Sequence, residues 1–158
     1  MRCVIPYEVT LDMVDYVFTV EETDGWLTRL SFDPPTTQDV IRETPLLLEV
    51  TRQLDEYFAG ERTRFSLPVR VTGTTFQKQV WDALTKIPYG QTRSYGDVAA
   101  MIGNPKACRA VGSANRNNHV GLVIPCHRVI NMSGSLGGFG SKPQLKRALL
   151  RHEGIRID

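Results

Sequence analysis

Charged side chains divide this chain of 158 residues into an acidic part and a basic part. Residues 1–70 carry 7 Lys/Arg and 13 Asp/Glu, a net charge of −6, and residues 71–158 carry 12 and 4, a net charge of +8. The hydropathy pattern changes at the same place, from strand-like alternation to a series of short helices. Turn-forming residues at positions 68–73 coincide with both changes. The sequence therefore predicts two domains, residues 1–72 and residues 73–158.

The composition excludes several classes of protein. Hydrophobic residues make up 41% of the chain and charged residues 23%, so the chain can bury a core and is not a disordered tail. No uninterrupted apolar stretch approaches the roughly 20 residues that span a bilayer. No secretory signal follows Met1, so we expect a cytoplasmic protein without membrane contact. The basic part attracts polyanions such as DNA, unless it serves only to attract the acidic part.

The acidic part is predicted to fold as a small α/β scaffold. Strand-like runs at residues 16–20 and 26–32 flank an Asp-Gly pair, which is a hairpin-turn signal. Apolar residues at helical spacing over residues 44–60 follow a Thr-Pro pair that is typical of a helix N-terminus. A short strand is expected at residues 64–67. Nothing in this part resembles a catalytic constellation.

The basic part is predicted to contain a helix-turn-helix. A capping box at residues 74–77 starts one helix, Ser94 starts a second that Gly103 ends, and a third runs from Pro105 to about residue 114. The last two helices have the helix-turn-helix pattern, in which the second helix lies in a DNA groove. The small side chains of the third helix favour close approach to the DNA backbone with little sequence preference. Packing against the protein core explains the same small side chains equally well.

One apolar segment carries the residues best suited to chemistry. A predicted strand over residues 120–130 is interrupted by a Pro-Cys-His-Arg run, because proline lacks the N–H that a strand ladder requires. His127 and Arg128 beside Cys126 favour the thiolate, which is the nucleophilic form of cysteine. Since neighbouring residues of an extended chain face opposite ways, we expect His127 to reach Cys126 only through a water. The alternative is a buried cysteine that acts as a small hydrophobic residue.

The segment around Cys126 resembles the active-site motif of the O6-alkylguanine-DNA alkyltransferases, also called methylated-DNA–protein-cysteine methyltransferases. The motif is the run Ile124-Pro125-Cys126-His127-Arg128-Val129. Other segments match the family in order and spacing: Thr75-Phe76-Gln77, Ile87-Pro88-Tyr89-Gly90, Ser94-Tyr95, Gly103-Asn104-Pro105-Lys106-Ala107, Arg109-Ala110-Val111-Gly112, Asn115-Arg116-Asn117-Asn118 and His152-Glu153-Gly154. The match covers residues 73–154, and the acidic part is similar only as the kind of α/β domain that the family carries there.

The resemblance implies an α+β protein. Its N-terminal domain is a short antiparallel sheet with a helix, ribonuclease H-like, and its C-terminal domain is a helix-turn-helix or winged-helix-like domain that carries the active-site cysteine. The implied activity is DNA repair by a monomer that flips O6-alkylguanine, chiefly O6-methylguanine, out of duplex DNA. The alkyl group passes irreversibly to Cys126, so that one protein is consumed per lesion. The resemblance leaves open whether O4-methylthymine is accepted.

The resemblance also assigns roles around the acceptor. Cys126 receives the alkyl group, and His127 acts through a bound water as the base that keeps it a thiolate. Glu153 orients His127, which gives the nucleophile–base–orienter arrangement with one water interposed. Asn118 lies in the hinge that tightens the turn between the recognition helix and the active-site strand.

A second group of roles concerns DNA. By resemblance, Tyr95 rotates the 3′ phosphate and Arg109 fills the space left in the stack by the flipped nucleotide. The carbonyl groups of Cys126 and Val129 accept from the guanine amino group, which selects guanine over adenine. Phe139 stands where many members carry tyrosine, so it keeps a stacking surface and loses a hydroxyl donor. Further contacts to DNA or the base are expected from Ser94, Lys106, Arg116, Arg128 and Ser141.

The cysteines and histidines give no sign of a metal centre. Three widely spaced cysteines indicate reduced thiols, and we expect Cys3 and Cys108 to be structural. Cys3 lacks the clustered cysteine and histidine partners that zinc requires. We therefore expect no metal and no cofactor.

Three other functions compete with alkyl transfer. An alkyltransferase-like damage-binding protein recognises alkylated bases without transfer, but such proteins lack the acceptor cysteine that Cys126 supplies. A helix-turn-helix regulator needs a dimer interface and base-reading side chains, which the sequence does not show. A cysteine hydrolase is disfavoured because the histidine directly follows the cysteine and no oxyanion hole is evident.

Overall fold

The computed structural model describes residues 1–137 and 142–157, and its contacts group the chain into two units. The first unit combines Met1–Val71 with the segment His119–Val123, and the second combines Thr72–Asn118 with Ile124–Asp158. The sequence division differs from this grouping by one residue at the boundary, Thr72, and by the segment of residues 119–123, which it leaves in the C-terminal domain. The α+β class expected from the sequence is confirmed by the content of the two units.

The first unit contains a three-stranded antiparallel sheet in the order β1-β2-β3. The strands are β1 (Arg2–Leu11), β2 (Val14–Thr23) and β3 (Trp26–Ser31). The predicted Asp-Gly hairpin is confirmed, with φ of 51° and 88° at the two turn residues between β2 and β3. The sequence analysis missed β1, whose proline is tolerated because β1 lies at the edge of this sheet.

Helix α1 (Pro45–Phe58) packs its apolar side on this sheet, as the sequence predicts. The Thr44 side chain accepts a hydrogen bond from Leu47 N, and proline occupies the first turn. The strand predicted at residues 64–67 is wrong. The Gln53 side chain bonds to both backbone groups of Ser66, at 2.9 Å to its N and 3.0 Å to its O, so these groups are satisfied without a sheet partner.

The segment at residues 119–123 does not form the apolar strand that the sequence predicts. Turns replace extended backbone, and Leu122 has a positive φ of 67°. Leu30 N donates to His119 O at 2.9 Å and Gly121 N donates to Leu30 O at 3.0 Å, which joins the segment to β3. A Cβ at Gly121 would lie 2.5 Å from the Phe32 ring, so the close approach requires glycine.

The second unit is built from helices around one apolar core. They are α2 (Thr75–Thr85), α3 (Tyr95–Met101), α4 (Cys108–Arg116) and α5 (Pro143–His152). The predicted capping box at the start of α2 is confirmed, and the predicted cap Ser94 proves to be part of a second capping box with Asp97 at the start of α3. Helix α4 begins later than predicted, because the backbone from Asn104 to Ala107 forms a turn first.

Two short strands and a 3-10 helix complete the second unit. The 3-10 helix Cys126–Arg128 leads directly into β5 (Val129–Ile130), which pairs in parallel with β4 (Arg93–Ser94) just before α3. The cysteine therefore lies at the start of a helical turn and not in an extended strand. Within the described ranges, no helix is both long and apolar enough to cross a membrane.

Candidate active site

Cys126 is buried, with 5% of its surface exposed, and two asparagine amides hold the chain around it. Asn118 Nδ2 donates to the carbonyl oxygen of Ile124 at 2.9 Å. Asn115 Nδ2 donates to the carbonyl oxygen of Cys126 itself at 3.3 Å. Both amides come from the end of α4 or the residues after it, so the helix-turn-helix and the cysteine segment are tied together. Sequence reasoning singled out Asn118 and missed Asn115.

The environment of the Cys126 thiol favours its neutral form in the free protein. Burial raises the pKa of this thiol above its ordinary value, because the charged thiolate loses water. The Asn118 side chain and the positive charge of Lys146 act in the opposite direction and lower this pKa. A buried thiol in this state needs a base to become a nucleophile.

His127 lies in a buried network of charged groups. Its Nε2 is 2.7 Å from Glu153 Oε2, and both side chains are fully buried. Arg128 donates from Nε to Glu153 Oε1 at 2.8 Å and from Nη2 to Oε2 at 3.1 Å. Gly90 N donates to Glu153 Oε1 at 3.1 Å, and Arg128 Nη1 donates to Ile87 O at 2.7 Å. The Glu153 carboxylate is therefore contacted by two other segments of the chain, one at residue 90 and one at residues 127–128.

The network determines the protonation of His127. Burial lowers the pKa of His127 below its ordinary value, against the raising effect of Glu153, so the imidazole is neutral at pH 7. A carboxylate that already accepts from a guanidinium favours its charged form, and His127 Nε2–H then donates to it. His127 Nδ1 is buried without a hydrogen bond from the described residues and keeps its lone pair. The site thus holds a neutral imidazole that directly follows Cys126 in the sequence.

Lys146 is a site residue that the sequence analysis missed. It lies on α5 with no exposed surface, and its Nζ donates to the carbonyl oxygen of Val129. The same Nζ lies 5.9 Å from the centre of the Tyr95 ring. Burial lowers its pKa to about 8. Helical spacing to Leu149 on the buried face of α5 is the signal that could have found it.

The residues expected to contact DNA divide into two groups. Lys106, Arg109 and Arg116 are exposed on α4 or just before it, and Tyr95 is half-buried at the start of α3. Of the small residues of α4, Gly112 and Ala114 are buried, whereas Cys108, Ala110 and Ser113 are exposed. Packing against the core therefore explains only the first two.

Two expected DNA contacts have other partners in the structure. Arg128 is 6% exposed and its guanidinium is committed to Glu153 and Ile87, so the prediction of a DNA contact is corrected to an internal ion pair. The Ser94 hydroxyl accepts from Asp97 N at 2.9 Å as the N-cap of α3. Phe139 and Ser141 lie outside the described residues.

Cys3 and Cys108 differ in their surroundings. Cys3 is buried on β1, as expected of a structural cysteine, whereas Cys108 is exposed at the start of α4 and does not belong to the core. Among residues 1–137 and 142–157, no three His, Cys, Asp or Glu side chains cluster so as to hold a metal ion. The absence of a cofactor stays an expectation.

Fold and site together define a class of protein: a small antiparallel-sheet unit joined to a helical unit that holds a buried Cys-His-Glu-Arg cluster beside a helix-turn-helix. Comparison with known families narrows this class. Residues 7–71 match the ribonuclease-like domain, and residues 75–155 match the DNA binding domain, of 6-O-methylguanine DNA methyltransferase. The chain belongs to this family.

Individual relatives agree with this assignment. The chain is 48% identical over 145 residues to the constitutive methylated-DNA–protein-cysteine methyltransferase of Bacillus subtilis, which covers 91% of this chain and 78% of that protein. It is 43% identical over 143 residues to the methylated-DNA–protein-cysteine methyltransferase of Mycobacterium leprae, with 90% and 78% covered. The solved structure of Mycobacterium tuberculosis OGT in complex with DNA superposes with a TM-score of 0.85 at 39% identity, covering 96% of this chain and 92% of that one.

Proposed function

We propose that this protein repairs O6-alkylguanine in double-stranded DNA by transferring the alkyl group to Sγ of its own Cys126. The observation that carries the proposal is the buried cysteine followed directly by a histidine whose Nε2 is held by Glu153 and whose buried Nδ1 accepts no hydrogen bond from any of the described residues. The protein acts once per lesion, because a thioether does not release its alkyl group to water.

The transfer balances with the groups present. His127 takes the thiol proton at Nδ1 through a water, and the sulfur attacks the alkyl carbon in line with the bond to O6. The S–C bond forms as the C–O6 bond breaks, and the electron pair stays on the purine. The purine then takes up one proton to become ordinary guanine, so proton loss and gain cancel. No methyl donor enters the reaction.

The remaining site residues act in binding and orientation. Glu153 orients His127, and Asn118 holds the hinge before the cysteine segment. Arg109 stacks in the gap left by the flipped nucleotide, which offsets part of the few kcal/mol that flipping costs. Tyr95 rotates the phosphate, and the carbonyl groups of Cys126 and Val129 read the guanine amino group. Lys106 and Arg116 contact phosphates, and Phe139 and Ser141 contact the base.

The division of labour follows the two parts of the sequence. We assign residues 1–72 as an α/β scaffold domain and residues 73–158 as the DNA-binding and alkyl-acceptor domain. The protein acts as a cytoplasmic monomer with access to chromosomal DNA.

A mass measurement tests the function directly. The protein is incubated with a duplex oligonucleotide that carries one O6-methylguanine, digested, and analysed by mass spectrometry. One added methyl group on the peptide that contains Cys126 is the expected result. Cys126→Ser should abolish the gain, and Cys108→Ser, which changes an exposed cysteine, should retain it. Tight binding to the lesion with no methyl on any cysteine would establish the damage-binding function instead.

A further inference from the structure

The buried guanidinium of Arg128 has no role in the transfer described above. Its Nε and Nη2 donate to the two carboxylate oxygens of Glu153, and its Nη1 donates to the carbonyl oxygen of Ile87. Its guanidinium carbon lies 5.8 Å from the centre of the Tyr89 ring. Enclosure on these sides removes this arginine from phosphate binding and points to a role inside the site.

We propose that Arg128 is a positioning residue that clamps Glu153, keeping the His127 imidazole neutral with its proton on Nε2 and its lone pair on Nδ1. This inference rests on the proposed function, in which Nδ1 receives the thiol proton. It concerns the state of the base and not the identity of the substrate.

The hydrogen bonds at Glu153 carry the geometric part of the proposal. Oε1 accepts from Arg128 Nε and from Gly90 N, and Oε2 accepts from Arg128 Nη2 and lies 2.7 Å from His127 Nε2. A bidentate pair of this kind fixes the plane of the carboxylate. The carboxylate therefore presents Oε2 to Nε2 in one orientation. Only the Nε2–H tautomer of His127 can donate a hydrogen bond to Oε2 in this arrangement.

The positive charge of Arg128 is the second observation that supports the proposal. A carboxylate alone beside His127 favours the imidazolium, which has no lone pair at Nδ1 and cannot take a proton. Arg128 opposes this effect: its positive charge lowers the pKa of His127, after the larger effects of burial and of Glu153. Arg128 therefore allows Glu153 to orient the imidazole without protonating it.

Among the described residues, the other charged groups that act on His127 can be separated from Arg128. Lys146 on α5 also lowers the pKa of His127, and the Cys126 thiol precedes it in the 3-10 helix. Helix α2 packs against the same 3-10 helix, but its charged side chains, Lys78 and Asp82, are exposed. Variants of Arg128 leave all of these groups in place.

The test combines Arg128→Met, Arg128→Lys and the double variant Arg128→Met/Glu153→Gln, with Arg93→Met as the control. Arg93 is a half-exposed arginine of β4 whose hydrogen bonds go to its own neighbours, Gln91 and Thr92. Two readouts are taken for each protein. One is the rate of single-turnover methyl transfer against pH, and the other is the protonation and tautomer of His127 from ¹⁵N NMR of labelled histidine.

In Arg128→Met we expect the pKa of His127 to rise by about one unit, as for loss of a neighbouring charge. The acid limb of the transfer rate then shifts to higher pH by the same amount, and the Nε2–H tautomer loses its dominance. Arg128→Lys retains the charge and returns the acid limb toward wild type. The double variant removes both the carboxylate that favours the imidazolium and the guanidinium that opposes it, so its acid limb does not shift upward. Arg93→Met matches wild type.

The NMR readout separates failure of this inference from failure of the proposed function. If wild type transfers no methyl group, the proposed function fails, while the tautomer and pKa of His127 still decide the role of Arg128. An unchanged His127 pKa and tautomer in Arg128→Met, with only a lower melting temperature, would overturn the inference. Should Arg128→Met not fold, the same readouts in Arg128→Gln, which removes the charge and keeps a polar side chain, decide: a His127 pKa and tautomer as in wild type overturn the inference, and a raised pKa with a less dominant Nε2–H tautomer supports it.

Discussion

Lys146 Nζ donates to the carbonyl oxygen of Val129 at 2.5 Å, inside the second unit. Val129 is the residue that follows the 3-10 helix of Cys126, so a buried ammonium lies beside the strand that leaves the acceptor cysteine. Burial raises the pKa of the Cys126 thiol, and the charge of Lys146 is one of the effects that lower it. This relationship gives the lysine a measurable effect on the nucleophile.

We expect Lys146→Met to slow methyl transfer at pH 7. Methionine fills a similar volume without charge, so the pKa of Cys126 rises, and each unit of that rise lowers the thiolate fraction about tenfold. The measurement is the single-turnover rate on a duplex with one O6-methylguanine. Lys86→Met, which removes an exposed lysine beyond α2, is the matched control and should leave the rate unchanged. Equal rates for wild type and Lys146→Met would contradict the prediction.

Lys146 also makes the stability of the protein depend on pH in one direction. Its pKa of about 8 in the folded protein lies below its ordinary value of 10.5, so the unfolded chain binds this proton more tightly. Between pH 8 and 10.5 the unfolded state holds more protons, and this contribution to stability rises with pH. The unfolding free energy of Lys146→Met relative to wild type should therefore fall as pH rises from 7 to 10. Denaturant titrations at several pH values measure it, and a constant difference would count against the buried ammonium.

Two neighbouring asparagines offer a matched pair for the hinge. Asn118 Nδ2 donates to Ile124 O at 2.9 Å across the turn, whereas the exposed Asn117 Nδ2 donates to Ser113 O one helical turn back. Asn118→Ala removes one of two hydrogen bonds to this carbonyl oxygen, the other coming from Cys126 N, and should cost about 0.5–1.5 kcal/mol of unfolding free energy. Asn117→Ala should cost less than about 0.5 kcal/mol, as at most surface sites. Urea unfolding compares the two, and equal losses would argue against the hinge.

Local signals in the sequence predicted much of the fold. The Asp-Gly turn, the caps at Thr44 and Ser94 and the capping box that starts α2 each act through neighbouring backbone groups, and the structure has all of them. The predicted strand at residues 64–67 failed because Gln53, which is distant in sequence, satisfies the backbone of Ser66. A local sequence pattern does not reveal that a side chain from another part of the chain will replace strand pairing.

The candidate site shows the same contrast between local signals, which the sequence reveals, and long-range contacts, which it does not. The Pro-Cys-His-Arg run identified Cys126 and His127 as neighbours, but their surroundings depend on which elements pack against the 3-10 helix. Arg128 was expected to face DNA because arginine is common in DNA contacts, and its pairing with Glu153 joins residues 25 positions apart. Lys146 was missed because lysine is rarely fully buried, although its helical spacing to Leu149 indicated the buried face of α5. The pairing of Arg128 with Glu153 is a tertiary contact that sequence spacing does not predict.

Arg109 separates base flipping from alkyl transfer. Its side chain is exposed on α4, and the proposed function assigns it to the gap that the flipped nucleotide leaves in the DNA stack. Arg109→Ala should slow repair of duplex DNA about tenfold or more, since flipping costs a few kcal/mol, and should leave transfer from the free base O6-methylguanine unchanged. Lys78→Ala, an exposed cation on α2, should affect neither rate. Equal losses with duplex and free base would remove the stacking role.

Salt dependence distinguishes exposed from buried arginines on the same unit. Binding to DNA should weaken as salt rises, because each phosphate contact releases counterions and contributes about −0.9 to the slope of log K against log salt. Arg116 is exposed at the end of α4, so Arg116→Ala should reduce the magnitude of that slope by about 1. Arg128 is enclosed with Glu153, so Arg128→Lys should leave the slope unchanged. Fluorescence anisotropy with a labelled duplex at five salt concentrations measures the slope for wild type and for each variant. A smaller slope for Arg128→Lys would show that Arg128 contacts DNA phosphates after all. An unchanged slope for Arg116→Ala would show that Arg116 does not contact them.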